Sequence, residues 1–516
     1  MRAVKKDIGV NLNQPTFYWH DYETFGLNTR FDRPVQFAGL RTDMQLNAIG
    51  DADVWYCRPA LDYLPSPEAC IVTGITPQEA AEKGTHEAEF ARRIHEAMSV
   101  RDTISIGYNN IKFDDEVTRN LLWRNLFDAY SREYSNGCSR WDLFPFTLAV
   151  WALRPEGIVW PVVQSGERGR EGCVTFRLEK LTQANGLAHS HAHDAASDVE
   201  ATIAFARLIA QKQPRLWNWA LSHRNKNHVI ESIDSGRPCV WVDASAGQAA
   251  GYLRFVMPVA ISPRNKNEYI VWDCRYDPSV LDGLDAETIA RRAFGPRTAL
   301  QDGEERLPLY GLKVNTAPFV CSDLRIVNAS VCERFQIDLE AVVANGEKLT
   351  RLQPQIMGPV VTARAPRDEE PQKSDVDGAL YEGFIGGGDK YQMQRVHELS
   401  PQALFYEAAE GRIHFDDPRL QEMFRRMRAR NWPELLDQSE QAWWKRHCQD
   451  VVEGIVPGVR SFTSYTEALD TQVEMLDAQF EQGVINEDLY EARQNVLNAL
   501  FEWGEIVSQA AQSEDF

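Results

Sequence analysis

Between Phe17 and Gln211 the chain alternates short β-type runs with longer segments of helical periodicity. Such alternation restricts a chain to a mixed or parallel sheet covered by helices. Phe17-Tyr18-Trp19-His20, Val35 to Arg41 and Val54 to Cys57 read as strands, and Pro77 to Met98 as a helix. Ile104 to Tyr108 is a further strand, Asp115 to Trp123 a helix, and Ala192 to Gln211 the closing helix. Pro214 marks a boundary, and the α/β core before it reads as self-contained. From Val229 to Ala365 β signals dominate, with Val240-Trp241-Val242, Ile270-Val271-Trp272 and Leu309 to Val314 separated by Asn, Gly and Pro turns. The acidic, proline-containing stretch Arg367 to Asp377 reads as a linker, and helix formers prevail beyond Gln402.

A length of 516 residues fits two or three domains. No apolar run reaches membrane-spanning length, and Lys5 and Lys6 are not followed by the apolar stretch of a secretory signal. The nine cysteines are odd in number and never spaced C-x-x-C. That pattern points to reduced thiols in a cytoplasm, and away from a disulfide framework or a zinc site. The net charge of −20 speaks, as a sum, against a nucleic-acid partner. Local field rather than total charge steers a polyanion, however. Basic residues do cluster, at His223 to His228, Arg264 to Asn267, Arg425 to Arg430 and Trp443 to His447. Aromatic residues beside Arg and Lys suit a groove for single-stranded nucleic acid.

Three groups of residues carry candidate chemistry. Asp21 and Glu23 follow the first strand and, two apart on an extended segment, face the same side. There they could grip a divalent cation, although an isolated D-x-E is as readily a solvated strand end. Asp114 and Asp115 follow the strand ending at Tyr108, where a third acid could join the site or simply cap a helix. His193 and Asp198 open the closing helix; a capping or surface histidine is the plain alternative, and the run His189, His191, His193 admits a metal-binding tract.

Taken in order, D-x-E on a strand, N-x-x-F-D after a later strand and H-x-x-x-x-D at a helix start resemble the DEDD exonuclease superfamily in its histidine-bearing branch. His20-Asp-Tyr-Glu-Thr-Phe-Gly26, Thr73-Gly-Ile-Thr-Pro-Gln-Glu-Ala80, Gly107-Tyr-Asn-Asn110, Phe113-Asp-Asp-Glu-Val-Thr-Arg-Asn120, Ala192-His-Asp-Ala195 and Arg428-Ala-Arg-Asn-Trp-Pro433 are similar to the bacterial exonuclease I family within it. The resemblance implies a 3′→5′ exodeoxyribonuclease acting processively on single-stranded DNA in repair and recombination. It implies an RNase H-like α/β exonuclease domain over 1–213, an SH3-like β-barrel domain over 214–366 and an all-α domain over 367–516.

It further implies that Asp21, Glu23, Asp114 and Asp198 hold two Mg²⁺ ions, or Mn²⁺, with His193 as general base. Arg177 would contact substrate near the scissile end, with Thr73 and Gly74 beside the terminal nucleotide. Arg119, Tyr130, Tyr134, Arg140, Asn267, Tyr310, Asn315 and Tyr381 would line the strand path. Arg154 and Arg325 would dock the acidic C-terminal tail of single-stranded-DNA-binding protein, and the enzyme would be a cytoplasmic monomer. Rival readings are an HD-type phosphohydrolase, for which further histidines are lacking, a shorter RNase of the oligoribonuclease kind, and a DNA-binding scaffold with a dead site.

Overall fold

The computed structural model describes residues 14–166, 169–187, 194–366 and 374–512. Its first layer is a five-stranded sheet of order β3-β2-β1-β4-β5, formed by β1 (Thr16–Thr24), β2 (Pro34–Thr42), β3 (Asp53–Tyr56), β4 (Thr103–Gly107) and β5 (Ser139–Asp142). β1 runs antiparallel to β2 and parallel to β4, and β4 parallel to β5. A central strand covered on both faces must be apolar in both registers. β1 meets that demand with Phe17 and Trp19 on one face and Tyr18 and Tyr22 on the other, all buried. Asp21 and Glu23 lie inside this strand rather than beyond its end.

Two local expectations shift. Pro77 to Met98 is two helices, Pro77–Lys83 and Glu87–Met98, broken at Gly84, whose N–H closes the first on the Ala80 carbonyl. β5 escaped the sequence reading because four residues, Ser-Arg-Trp-Asp, are too few to display a period.

The second sheet, order β10-β6-β7-β8-β9, is antiparallel throughout: β6 (Cys239–Val242), β7 (Leu253–Ile261), β8 (Glu268–Asp273), β9 (Leu309–Lys313) and β10 (Val320–Cys321). The helix Leu339–Ala363 packs against it. Helices from Gly387–Glu398 to Glu487–Gln512 complete the described chain.

The α/β core is not self-contained. Phe17, Trp19, Ile104 and Ile106 share one apolar cluster with Val240, Phe255, Ile270 and Trp272 of the second sheet. On the opposite face Tyr18, Phe37, Phe90 and Leu121 pack with Leu380, Met393, Met423 and Phe424 of the helical part. A third cluster joins Phe25, Val35 and Leu64 to Tyr465, Leu469 and Trp503.

Buried charge adds to this union. The expected linker, Arg367 to Asp377, runs at its end into a 3₁₀ turn, Val376–Tyr381, whose Asp377 is 1% exposed. Arg33 Nη2 and Arg430 Nη2 each donate to Asp377 at 2.6 Å, and Arg430 Nε to Asp62 at 2.8 Å. Arg426 pairs with Asp375 and Arg428 with Glu440. The Arg425 to Arg430 cluster, read above as a strand groove, therefore spends three of its guanidinium groups on internal ion pairs. Charges survive burial only when paired in this way.

A chain ending at residue 213 would leave the apolar faces of all three shared clusters open to water. We expect it to aggregate or melt without cooperativity, whereas the full chain melts cooperatively; size exclusion with a thermal melt checks this, and a soluble fragment with a sharp transition would contradict it.

Candidate metal centre

Three elements bring four carboxylates together. Asp21 and Glu23 project from the same face of β1 as Phe17 and Trp19, the face over which helix Ala195–Lys212 packs. That helix carries Asp198 in its first turn, where the helix N-terminus favours negative charge. One oxygen each of Asp21, Glu23 and Asp198 lies within 4.8 Å of the others. Asp114 is the first residue of helix Asp114–Arg124, and its Oδ1 accepts the Tyr22 N–H at 3.2 Å. Its side chain reaches across to β1 instead of capping its own helix, which excludes the plain helix-cap reading.

The turn between β4 and that helix is set by a residue the sequence reading passed over. Asp142, at the end of β5, accepts the N–H groups of Asn109 (2.8 Å), Ile111 (3.3 Å) and Phe144 (2.9 Å), and so caps helix Leu143–Leu153 as well. Asn109 sits at φ 65, a left-handed conformation that Asn tolerates. Gly107 leaves room for close approach, since a Cβ there would meet the His20 carbonyl at 2.8 Å. Asp194 was missed too. It caps the helix of Asp198 through Ser197 N–H and accepts from Gln36 Nε2 at 3.2 Å.

The electrostatics follow from the crowding. Burial pushes the Asp21 carboxyl well above the carboxylate range, and Asp114, Glu23, Asp198 and Asp194 add to it. Glu23 is pushed up to about 8, by burial first and then by Asp198, Asp114 and Asp194. Asp114 also rises to about 8, through burial and its neighbour Asp115, against hydrogen bonds from its own amide and that of Tyr22. Among the described residues, no Lys or Arg is ion-paired to Asp21, Glu23 or Asp114. An all-oxygen donor set with excess negative charge fits hard divalent cations such as Mg²⁺ or Mn²⁺. His193 lies outside the described residues, although its chain neighbour Asp194 borders the cluster.

The other expected residues distribute around this centre. Arg177 is exposed at the start of helix Leu178–Ala184. The preceding carbonyl, of Phe176, accepts from Tyr108 Oη at 2.6 Å just past β4. Thr73 and Gly74 end helix Pro67–Thr73, with Gly74 at φ 73 and the Thr73 hydroxyl accepting the Ile75 N–H. Tyr134 is two-thirds exposed and Tyr381 about half. Arg119 and Arg140 are nearly covered, their guanidinium groups held by Glu116, Glu133 and Asp115. Asn267 accepts from Lys226 Nζ, the Tyr310 ring lies under Arg254, and the Asn315 carbonyl accepts from Arg140. Arg154 donates to the Ile326 carbonyl at 3.0 Å, which places it beside Arg325, whose side chain is 91% exposed.

Comparison with known proteins gives this geometry a lineage. Residues 18–206 match the family described as "Exonuclease", 224–362 the "Exonuclease I SH3-like domain" and 374–507 the "Exonuclease I C-terminal domain". Exodeoxyribonuclease I of Escherichia coli is 42% identical over 440 residues, covering 85% of this chain and 90% of that protein. The chain belongs to the exodeoxyribonuclease I family. Exodeoxyribonuclease I of Haemophilus influenzae is 36% identical over 479 residues, covering 92% and 98%.

The solved complex of Escherichia coli exonuclease I with a dA16 oligonucleotide superimposes at TM-score 0.84 with 38% identity, covering 96% of this chain and all of that one. Exonuclease I from Methylocaldum szegediense does so at 0.84 and 39%, covering 96% and 99%. The second sheet is thereby the SH3-like domain of exodeoxyribonuclease I, and the first an exonuclease domain.

The crowding has a thermodynamic signature. Glu23 and Asp114 hold protons more tightly folded than unfolded, so their contribution to stability is present below about pH 4 and is lost as pH rises through about 8. Metal-free protein in EDTA should melt at a lower temperature at pH 8 than at pH 5.5, and Mg²⁺ should restore most at pH 8. Calorimetry across this window checks both, and equal Mg²⁺ stabilisation at the two pH values would contradict it.

Proposed function

We propose that this chain degrades single-stranded DNA from its 3′ end to 5′-mononucleotides by two-metal phosphodiester hydrolysis, serving DNA repair and recombination as a cytoplasmic monomer. The observation that carries the proposal is the cluster of Asp21, Glu23, Asp114 and Asp198 on an exonuclease sheet, crowded enough to keep protons to about pH 8 at two of them. Relatives support the substrate and the metal: the Escherichia coli enzyme has been solved with single-stranded DNA and in a zinc-bound form of that complex. Mg²⁺ is the ion proposed here, with Mn²⁺ as a substitute. The described helices include none long and apolar enough to cross a membrane, and the nine cysteines are free thiols, as a reducing compartment would keep them.

Asp21, at the centre of the acidic group, would hold both cations, with Glu23, Asp198 and Asp114 completing the site. Two divalent ions, when bound, supply charge stabilisation for the attacking and leaving oxygens and lower the pKa of the attacking water. His193 would accept the proton of that water. Arg177 would hold the phosphate next to the scissile bond, because a guanidinium binds phosphate oxygens in pairs. Thr73 and Gly74 would pack on the terminal nucleotide. Tyr130, Tyr134, Tyr310 and Tyr381 would offer stacking surfaces without base preference, with Asn267 and Asn315 beside them. Division at 213/214 and 366/367 gives each later domain one wall of the strand path. Contacts along that path would make digestion processive, since each phosphate contact alone is weak and salt-sensitive.

End-labelled single-stranded DNA, duplex DNA and RNA, digested side by side in Mg²⁺, should show rapid loss of the first alone; equal loss of RNA would move the chain to a ribonuclease reading. His193→Ala should slow the chemical step by about a hundredfold or more while leaving metal binding nearly unchanged. Loss of metal affinity instead would make His193 a ligand. The acidic tail of single-stranded-DNA-binding protein should dock where Arg154 and Arg325 adjoin, because an arginine can take a terminal carboxylate bidentately. Titration of a tail peptide should show weaker binding to Arg154→Ala; equal affinity for both proteins removes the dock.

A further inference from the structure

Helix Asp114–Arg124 begins with a candidate metal ligand, and its next residues enter a buried network that leaves the exonuclease sheet in two directions. Asp115 is fully covered and accepts from Arg132 Nη2 at 2.9 Å and Arg140 Nη1 at 2.8 Å. Arg140 also donates through Nη2 to the carbonyl of Asn315 at 3.0 Å, in the segment that follows β9 of the SH3-like domain. The same Nη2 lies 3.0 Å from Glu133 Oε2. Glu133 in turn accepts from Arg119 Nε at 2.7 Å and Nη2 at 2.8 Å. Arg119 Nη1 contacts Glu116 Oε1 and, at 3.2 Å, the hydroxyl of Tyr381 in the helical domain, which donates to Glu116 Oε2 at 2.5 Å.

Glu133 is therefore the shared carboxylate of an unbroken line, Asn315–Arg140–Glu133–Arg119–Tyr381. It passes through Arg119 of the helix that begins with Asp114 and ends in the SH3-like domain at Asn315 and the helical domain at Tyr381. The line and its branches hold three carboxylates, Asp115, Glu116 and Glu133, against three guanidinium groups, Arg119, Arg132 and Arg140. Five of the six side chains are at most 12% exposed. A brace serving the exonuclease sheet alone has no need of partners in both other domains. A shift of Asn315 or Tyr381 changes the hydrogen bonding of Arg140 or Arg119, and each of these guanidinium groups also holds a carboxylate of the network. Through them it reaches Asp115 and Glu116, the residues directly after Asp114.

We propose that Glu133 is a positioning residue that couples the contacts of the SH3-like and helical domains with a strand to the placement of Asp114, so that strand binding and divalent-cation binding strengthen each other. This rests on the reading of Asp114 as a metal ligand. Linkage makes the coupling reciprocal: the factor by which DNA tightens cation binding is the factor by which the cation tightens DNA binding.

The test is Mn²⁺ titration of the full-length protein by calorimetry, with and without a single-stranded oligonucleotide whose 3′-terminal linkages resist cleavage. Wild type should bind Mn²⁺ at least about fivefold more tightly with the oligonucleotide present. Glu133→Gln, which keeps the shape and loses the charge, should lower that ratio at least about twofold, leaving only the direct attraction between the cations and the strand's phosphate. Tyr381→Phe removes one hydroxyl from a half-exposed ring, which guards against loss of the fold, and should lower the ratio as well. The double variant should lose no more than Glu133→Gln alone, because both cut the same line. A wild-type ratio of one, or variants that keep the wild-type ratio, overturns the proposal while leaving the nuclease reading intact. Failure of the wild type to bind Mn²⁺ at all would instead sink the metal reading, and the coupling with it.

Discussion

Mutual repulsion among buried carboxylates is the constraint to which the rest of this molecule answers. Asp21, Glu23, Asp114 and Asp198 are forced together where water is scarce, and no Lys or Arg among the described residues is ion-paired to Asp21, Glu23 or Asp114. Nothing in chain propensity favours that arrangement. It persists because β1, apolar on both faces, is locked between β2 and β4, and because helix Ala195–Lys212 is packed over it. A site held open against its own charge is prepared for cations, since they need not first pull the ligands together.

The same logic explains why the three domains are so closely joined. Each face of the exonuclease sheet contributes to a core completed by another domain. Buried ion pairs such as Arg430–Asp62 and Arg33–Asp377 fix the relative placement of the helical domain, because a misplaced partner would leave a charge alone in the interior. Asp115 lies one residue from Asp114 and behaves in the opposite way. Burial alone would raise its carboxyl, yet Arg132, Arg140 and His20 hold it well below the usual range. Adjacent aspartates thus behave in contrary ways, one ionised and braced by arginines, the other pushed toward its protonated form by burial and by its neighbour.

Much of this was legible in the sequence. The strand–helix alternation placed most elements of the first sheet, and the spacing of Asp21 and Glu23 put both on one face of β1. What escaped had physical reasons. β5 is too short for a period, and β7 is buried on both faces over most of its length, so it shows no alternation. Beyond the local helix caps, the partners that matter to Asp142, Asp194 and Glu133 are Asn109, Gln36 and Arg119, which lie away in sequence where no local spacing reveals them. The Arg425 to Arg430 run misled because an arginine cluster looks alike whether it faces a polyanion or a set of interior aspartates. The deciding partners, Asp62 and Asp377, come from other parts of the chain. The linker reading failed at Asp377 for the same reason.

The central claim is that four carboxylates form a two-cation site, and anomalous scattering tests it most directly. Crystals grown with Mn²⁺ and an uncleavable single-stranded oligonucleotide should show two anomalous peaks about 4 Å apart. Both should touch Asp21, with Glu23, Asp114 and Asp198 completing their ligands. A single peak, or Mn²⁺ bound away from Asp21, would contradict the account.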